Sequence, residues 1–363
     1  MDKIRVIMAG PLPPNVGGMA TVLGDLGASK LASEVDLLLF NTAKTTRAGR
    51  KLTEALSSKL GLWSAWWQEL KAKPNTIAHI HTCSGFTFFL DGILLCLAKI
   101  RGVPVVLHIH GATFDQFLDG LNPILLTVAR WLCRRCAFIV VLSESWQVSL
   151  RQRLGDLRFS VVANGVPSIN VGDKTAHEQT EVNVLFLGNL SERKGVFDLL
   201  EVMPQVDNAV LHLVGGEELA GFTAKVRQII EEKQLQKQIK LHGIKAGLEK
   251  QAFFADADIF ILPSYAEGLP MSLLEAMMCG LPVIVSDAGG IPSVVTDKQD
   301  GFLITAGNRR QIAETLQLLV NDADLRLRIG RAAKQRCLAE FSTDAVVEKL
   351  LNLYRQIYPN SES

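Results

Sequence analysis

Charge of one sign is nearly absent as an excess: 38 Lys and Arg stand against 37 Asp and Glu, a formal net charge of +1 over 363 residues. That balance excludes bulk attraction to nucleic acid or to acidic surfaces as the basis of function. Cysteine is sparse too. Cys133-x-x-Cys136 has no second pair to complete a zinc site, and Cys83, Cys96, Cys279 and Cys337 fall mostly inside apolar helical patterns, so all six are expected as reduced thiols in a cytoplasmic protein. Long apolar runs are missing: the stretch Phe86 to Ile100 is too short for a membrane span and carries Asp91, which makes it a core helix. No secretory leader is expected ahead of the first strand, IRVIMA, which starts at Ile4. That strand is followed by neither Gly-Lys-Ser/Thr nor G-x-G-x-x-G, so it opens neither a P-loop nor a dinucleotide-binding unit.

Apolar residues, at 48%, are ample for two cores, and the chain exceeds the length at which one core usually stops growing. A first half, residues 1–167, reads as strands IRVIMA, VDLLLF, IAHIH, PVVLHIH and FIVVLS alternating with helical patterns. A second, 183–342, repeats the alternation with VNVLFLG, AVLHLVG, IKLHG, DIFILP and LPVIVS. Each half is a doubly wound α/β sheet. The polar segment 168–182, without apolar period, reads as the linker. Past Phe341, DAVVEKLLNLYRQIY is a closing helix.

The stretch Pro263 to Val295, PSYAEGLPMSLLEAMMCGLPVIVSDAGGIPSVV, concentrates the chemistry. A strand ends at Pro263, a loop runs to Pro270, and Ser272 with Glu275 three residues on forms a capping-box pattern. The helix stops at Gly280 and a second strand ends in a glycine pair. This is one βαβ unit, with its loops at the edge where α/β sheets bind ligands. Free N–H groups at the helix start can bind a phosphate, and a carboxylate a turn further on can accept hydrogen bonds from vicinal hydroxyls. A diol plus a diphosphate is a nucleotide sugar. Spacing alone equally allows Glu275 to be a cap and Glu267 a solvated loop residue.

Three other loops bear on the same chemistry. GPLPPNVGG sets Gly17 and Gly18 before a helix beginning near Met19, where bare backbone and a helix N-terminus suit an anion, although a tight turn has the same signature. His110 closes the strand PVVLHIH, with His108 deeper on the same face; a strand histidine taken alone reads as a core group. GNLSERKG places Arg193 and Lys194 between a strand and a helix, where cations suit a diphosphate leaving group or are simply solvated.

The string E-G-L-P-M-x-x-L-E-A-M-x-x-G-L-P-V-I-x-x-x-x-G-G-I-P from Glu267 resembles the E-x7-E region of the retaining glycosyltransferases of family four. P-x-x-x-G-G ending at Gly18, H-I-H-G at 108–111, N-G-V at 164–166 and L-G-N-L-S-E-R-K-G at 187–195 extend the likeness, which is closest to members that build bacterial exopolysaccharide and lipid-linked glycans. The resemblance implies the GT-B fold: two Rossmann-like doubly wound domains facing a cleft, the first on the acceptor side and the second binding nucleotide sugar, with the last helix, 343–363, crossing back to the first. It implies transfer of a glycosyl unit from a nucleoside diphosphate sugar to a hydroxyl with retained configuration. In these terms Lys194 neutralises the diphosphate, while Gly17, Gly18 and the Ser272 helix donate N–H groups. Glu275 holds the ribose diol, Glu267 and His110 grip the donor sugar, and Gly268, Leu269, Pro270 and Met271 shape the pocket. His81 and His108 are either structural or support His110 from behind, and Asn164 sits in the N-G-V turn. No metal or other cofactor is expected, since such proteins mainly position and neutralise. The chain departs from the family at Asn189, where an arginine usually follows the strand glycine. A neutral amide there removes a bidentate cation, and either Arg193 turns to the phosphates or the site is weakened.

The resemblance makes the acceptor a glycan or lipid-linked glycan. Trp63, Trp66 and Trp67 beside Lys71 and Lys73, with Arg130, Arg134, Arg135, Arg151, Arg153 and Arg158, suit a peripheral contact with the cytoplasmic face of the inner membrane. The competing reading is a helix that packs its tryptophans inward. Two other functions stay open: a catalytically weakened GT-B protein that binds a nucleotide sugar or a partner without turnover, and a nicotinamide enzyme of paired α/β halves, which the missing fingerprint disfavours.

Overall fold

The structure, a computed structural model, describes residues 3–15, 17–43, 52–70, 74–172 and 181–359, with only the backbone given for 52–58. Two compact units divide the chain: Met1–Gly165 with Thr343–Ser363, and Val166–Ser342. The division falls at Gly165, two residues short of the sequence-based boundary, and residues 173–180 of the expected linker lie outside the described residues.

Unit 1 begins with β1 (Arg5–Gly10), α1 (Gly18–Gly27), the single turn α2 (Leu31–Glu34), β2 (Asp36–Asn41), α3 (Leu52–Glu69), β3 (Thr76–Thr82) and α4 (Phe86–Ile100). It continues through β4 (Val105–Ile109), α5 (Phe114–Asp119), α6 (Pro123–Cys133), β5 (Phe138–Val141), α7 (Glu144–Leu154) and β6 (Phe159–Val161). The strands form one parallel sheet ordered β2-β1-β3-β4-β5-β6. β3 and β4 are buried along their whole length, so both faces of the sheet are covered and the strands read as near-continuous apolar runs instead of alternating ones. Helices start where the sequence offers caps: Asn122 accepts from the Leu125 N–H at α6, with Pro123 at the first helical position, and Ser143 accepts from the Trp146 N–H at α7.

Unit 2 runs β7 (Val182–Leu187), α8 (Val196–Val202), β8 (Ala209–Val214), α9 (Phe222–Glu232), β9 (Ile239–Gly243), α10 (Gly247–Asp256) and β10 (Ile259–Leu262). Then come α11 (Met271–Met278), β11 (Val283–Ser286), β12 (Phe302–Ile304), α12 (Arg309–Asn321) and α13 (Ala323–Arg336). Its parallel sheet is ordered β12-β11-β10-β7-β8-β9. The last helix, α14 (Thr343–Ile357), belongs to unit 1. It buries Val346, Val347, Leu350, Leu351, Leu353 and Tyr354, and Glu348 pairs with Lys30 at 2.8 Å.

Phe86 to Ile100 is a core helix, and the Asp91 carboxylate within it accepts a 2.7 Å hydrogen bond from the Thr82 hydroxyl. Sequence reasoning passed over β6 and β12. Each is a three-residue edge strand, too short to show a period. Of the α3 tryptophans, Trp66 turns inward, while Trp63 and Trp67 are half-buried. Trp66 is fully buried and donates its indole N–H to the Leu94 carbonyl at 3.0 Å, and Trp67 lies under the Arg101 guanidinium at 3.7 Å. The helix gains more by packing on α4, and Lys71 and Lys73 lie outside the described residues.

Candidate functional site

In each sheet the strand order reverses once, and the carboxyl ends of the two strands flanking such a reversal are where open α/β sheets place a ligand crevice. In unit 2 these strands are β7 and β10. The loop after β7 carries Asn189, Arg193 and Lys194, and the loop after β10 carries Glu267. Lys194 Nζ donates to Glu267 Oε1 in a close ion pair, the two side chains 12% and 6% exposed. Two glycines make this contact possible. A Cβ on Gly195, at φ 73°, would sit 2.3 Å from the Pro263 carbonyl oxygen, and one on Gly289, at φ 57°, would sit 1.7 Å from that of Glu267. Backbone bonds lock the loops further: Tyr265 N–H donates to Arg193 O at 2.8 Å and Gly290 N–H to Gly268 O at 2.8 Å.

Arg193 is already engaged. Its guanidinium donates to the Ala266 carbonyl at 2.8 Å and faces Glu218 at 3.2 Å, so it ties the two loops together instead of standing open in the crevice. Asn189 is exposed. Gly268, Leu269, Pro270 and Met271 form the turn into α11, with Leu269 and Met271 buried.

The capping box does not form. α11 begins at Met271 with Pro270 at its N-cap, no side chain caps it, and Ser272 is the second helical residue. Pro270 sets the helical entry and has no N–H for a glutamate to bond, so the box lacks its donor. Glu275 instead accepts from Lys250 Nζ of α10 at 2.6 Å. Burial pushes the Glu275 carboxyl above its ordinary range, and the Lys250 charge and hydrogen bond oppose that shift. The N–H groups of Met271, Ser272 and Leu273 precede the first possible intrahelical bond of α11.

In unit 1 the reversal lies between β1 and β3. The loop after β1 leads through Gly17, at φ 152°, into α1, which starts at Gly18. Beside it lies a cavity of about 320 Å³ lined by residues including Pro11, Asn15, Met19, Trp63, His81, Asp91 and Leu94. Its wall is mainly apolar, and Asp91 is its buried carboxyl. Burial raises Asp91 to about 7, against the Thr82 hydrogen bond and the Lys59 charge.

His110 follows β4, half-buried, as the outer rung of an imidazole ladder. His81 Nδ1 and His110 Nε2 are hydrogen-bonded at 2.8 Å, and Asn164 bonds His110 as well. His79 Nδ1 bonds the Tyr354 hydroxyl at 2.6 Å. Burial lowers His79 to about 3 and His110 to about 4, and holds His81 and His108 well below the ordinary imidazole value. The ligand atoms of His79, His81 and His108 lie within 4.8 Å of one another. A metal needs lone pairs that converge, yet these lie in ring planes stacked side by side, His79 on His81 at 4.5 Å and His79 on His108 at 5.4 Å. Two Asp-x-Asp triplets occur, Asp256–Asp258 and Asp322–Asp324, and both are at the wrong end of the sheet or on a helix cap. Asp258 accepts from the Asn183 N–H at the start of β7, and Asp322 caps α13.

Sequence alone assigned no functional role to Lys250, Asp91, Glu218 or the His79–Tyr354 pair. Asp91 alone left a signal there, as a carboxylate in an apolar helix. The others meet their partners across 25 to 275 residues.

Residues 16–168 match the family model "Glycosyltransferase Family 4" and residues 170–336 match "Glycosyl transferases group 1", so together they span most of the chain. A protein of Escherichia coli (strain K12) named as a glycosyltransferase of colanic acid biosynthesis is 26% identical over 72% of this chain and 66% of its own length. The N,N'-diacetylbacillosaminyl-diphospho-undecaprenol alpha-1,3-N-acetylgalactosaminyltransferase of Campylobacter jejuni is 29% identical over 49% of this chain and 45% of its own. The chain thus spans between under half and about two thirds of the length of these two relatives. Among solved structures, sucrose-phosphate synthase from Thermosynechococcus elongatus has a TM-score of 0.80 at 20% identity, covering 98% of this chain and 100% of that one. An Anabaena protein in complex with UDP-glucose has a TM-score of 0.77 at 19% identity, over 97% and 99%. At these identities the solved structures speak for the two-domain GT-B fold.

Proposed function

The chain belongs to the family 4 glycosyltransferases, and from that premise we propose that it moves a sugar from a nucleoside diphosphate sugar to a hydroxyl of a glycan or lipid-linked glycan, with retained configuration, in bacterial polysaccharide biosynthesis. The observation that carries this reading is the buried Lys194–Glu267 pair held at the strand-order reversal of unit 2 by Gly195 and Gly289. A fixed cation there stabilises the charge that develops on a departing diphosphate more than it stabilises a solvated substrate. Glu267, already accepting from Lys194, has a second oxygen for a donor-sugar hydroxyl. The α11 N–H groups bind phosphate, and Glu275, held by Lys250, accepts from the ribose diol. Arg193 acts as a loop clamp beside the phosphates, and Asn189 contributes only a neutral amide.

Unit 1 supplies the acceptor side. Its cavity offers an apolar wall to the body of the acceptor and Asp91 to one of its hydroxyls, while Gly17 and Gly18 present backbone N–H groups to the donor diphosphate. His110, oriented by His81, hydrogen-bonds a hydroxyl of the transferred sugar. No metal is needed for positioning and neutralisation of this kind. A lipid-linked acceptor would bring the protein to the cytoplasmic face of the inner membrane. Among the described residues no helix is long and apolar enough to cross a membrane.

The test is incubation with radiolabelled UDP-glucose, UDP-galactose and UDP-N-acetylhexosamines and an undecaprenol-diphosphate-linked acceptor. Label transferred to lipid, with the α-linkage of the donor kept by NMR, supports the proposal. Tight donor binding without transfer or hydrolysis across the panel overturns it in favour of a weakened binding protein.

A further inference from the structure

We propose that α6 is a docking surface for a bilayer bearing anionic lipid, lying in the plane of the headgroups. Ile124, Val128 and Trp131 recur at helical spacing along it and are 76%, 39% and 44% exposed, with Leu125 beside them at 38%. The opposite face of the same helix buries Ala129 and Cys133 in the unit 1 core, so the exposed residues are a second apolar face that none of the described residues covers. An exposed apolar stripe of this kind marks an interaction surface.

Charge identifies the partner. From Asn122 to Ser143 the only charged residues are Arg130, Arg134 and Arg135. Among the described residues none of the three lies within ion-pair distance of a carboxylate. Arg135 stacks on the Trp131 ring at 3.4 Å, which sets a cation and an interfacial aromatic at one depth. The carboxyl-terminal half of α4 adds Lys99 beside Cys136, and Ile100 at 70% exposure. A cationic apolar face matches phosphate headgroups over acyl chains. It disfavours a second copy of this chain, because a twofold interface would set the same arginines against each other. This surface also relocates the membrane contact from α3, whose Trp66 is buried and whose Trp67 lies under Arg101. It rests on the lipid-linked acceptor in the proposed function, yet its test needs neither donor nor turnover.

The full chain is floated with vesicles of phosphatidylglycerol and phosphatidylethanolamine, and with vesicles of phosphatidylcholine alone. Binding is expected only to the anionic vesicles, weakening as salt rises. Ile124→Ser, Val128→Ser and Trp131→Ser together should reduce it about tenfold or more, since each removes buried apolar area at the interface. Arg134→Gln with Arg135→Gln should leave weaker binding with little salt dependence. All these side chains are at the surface, and an unchanged melting temperature and UDP-induced thermal shift in the variants show the fold intact. Failure of the unmodified protein to float with anionic vesicles, or equal flotation of the serine variant, overturns the assignment. So does a dimer, seen by light scattering, that the serine variant dissolves while vesicle binding is absent. Loss of flotation with glycosyl transfer intact would sink only the surface; flotation without transfer would sink only the reaction.

Discussion

At the scale of single residues the proposed phosphate side of the site rests on Lys194. Lys194→Ala removes the cation and leaves Glu267 a buried carboxylate without its partner, so turnover should fall by about tenfold or more, about 1.4 kcal/mol of transition-state stabilisation. Steady-state kcat with a saturating donor checks this; an unchanged value would remove the phosphate assignment. Asn189 poses the complementary question, because Arg193 is committed to Ala266 and Glu218 and is not available to replace the missing arginine. Asn189→Arg should therefore tighten UDP binding in calorimetry, and no gain would mean the crevice has adapted around the amide. Lys250→Met tests the second carboxylate. Glu275 already has a raised value, so ionising it costs more in the folded chain than in the unfolded one, and that cost appears as pH rises through its folded value. Removing Lys250 takes away the opposing charge. The variant should lose about 3 to 5 kcal/mol in urea melts at neutral pH. Part of that loss should return as the pH is lowered and Glu275 takes up a proton.

Among elements, β3 and β4 together carry the imidazole ladder, and its titration belongs to the pair. Unfolded histidines bind protons near pH 6.5, whereas His110 in the fold waits until about 4 and His79 until about 3. Stability from these groups is fully present above the unfolded value and is lost as pH falls from about 6.5 toward 4, at about 1.4 kcal/mol per pH unit for each histidine. Urea midpoints between pH 7.5 and 5 should fall steeply, and His108→Leu should flatten the slope by about one proton; an identical slope would mean that His108 is not held neutral. The same strands show what could be read in advance. The apolar bursts, the glycine loops and the Glu267-to-Glu275 spacing are local patterns, and they lead to ten of the twelve strands among the described residues and to the loops at the two strand-order reversals. Partnerships are not local. Glu275 could be assigned to a cap because Ser272 stands three residues before it, but its partner Lys250 comes from another helix and leaves no mark on that spacing. The tryptophans of α3 and the apolar face of α6 look alike as sequence. Only packing separates Trp66, buried against α4, from the exposed Ile124, Val128 and Trp131.

Among the described residues the chain forms two units, each built on one sheet, and the far end of the chain adds a helix to the first. The chain runs through unit 1, builds unit 2, and returns α14 to unit 1. That helix buries six apolar or aromatic residues and places Tyr354 on His79 beneath the ladder that orients His110. At about 1.5 to 3 kcal/mol for each large buried side chain, their sum rivals the 5 to 15 kcal/mol that typically holds a whole domain together. Unit 1 should therefore not persist without it, while unit 2 contains its own sheet and core. Deleting residues 343–363 is expected to split one unfolding transition into two, with protection from hydrogen exchange lost across β1, β3 and β4 but retained across β7, β10 and β11. UDP binding, which the proposed function assigns to unit 2, should survive in the truncated chain with weakened affinity at most. A gentler variant isolates the contact from the helix. Tyr354→Phe keeps the packing but strips His79 of its hydrogen bond inside the core, which costs about 1 to 3 kcal/mol. Equal protection of both sheets after truncation would show that α14 is a passive tail, and the dependence of unit 1 on the returning chain would have to be abandoned.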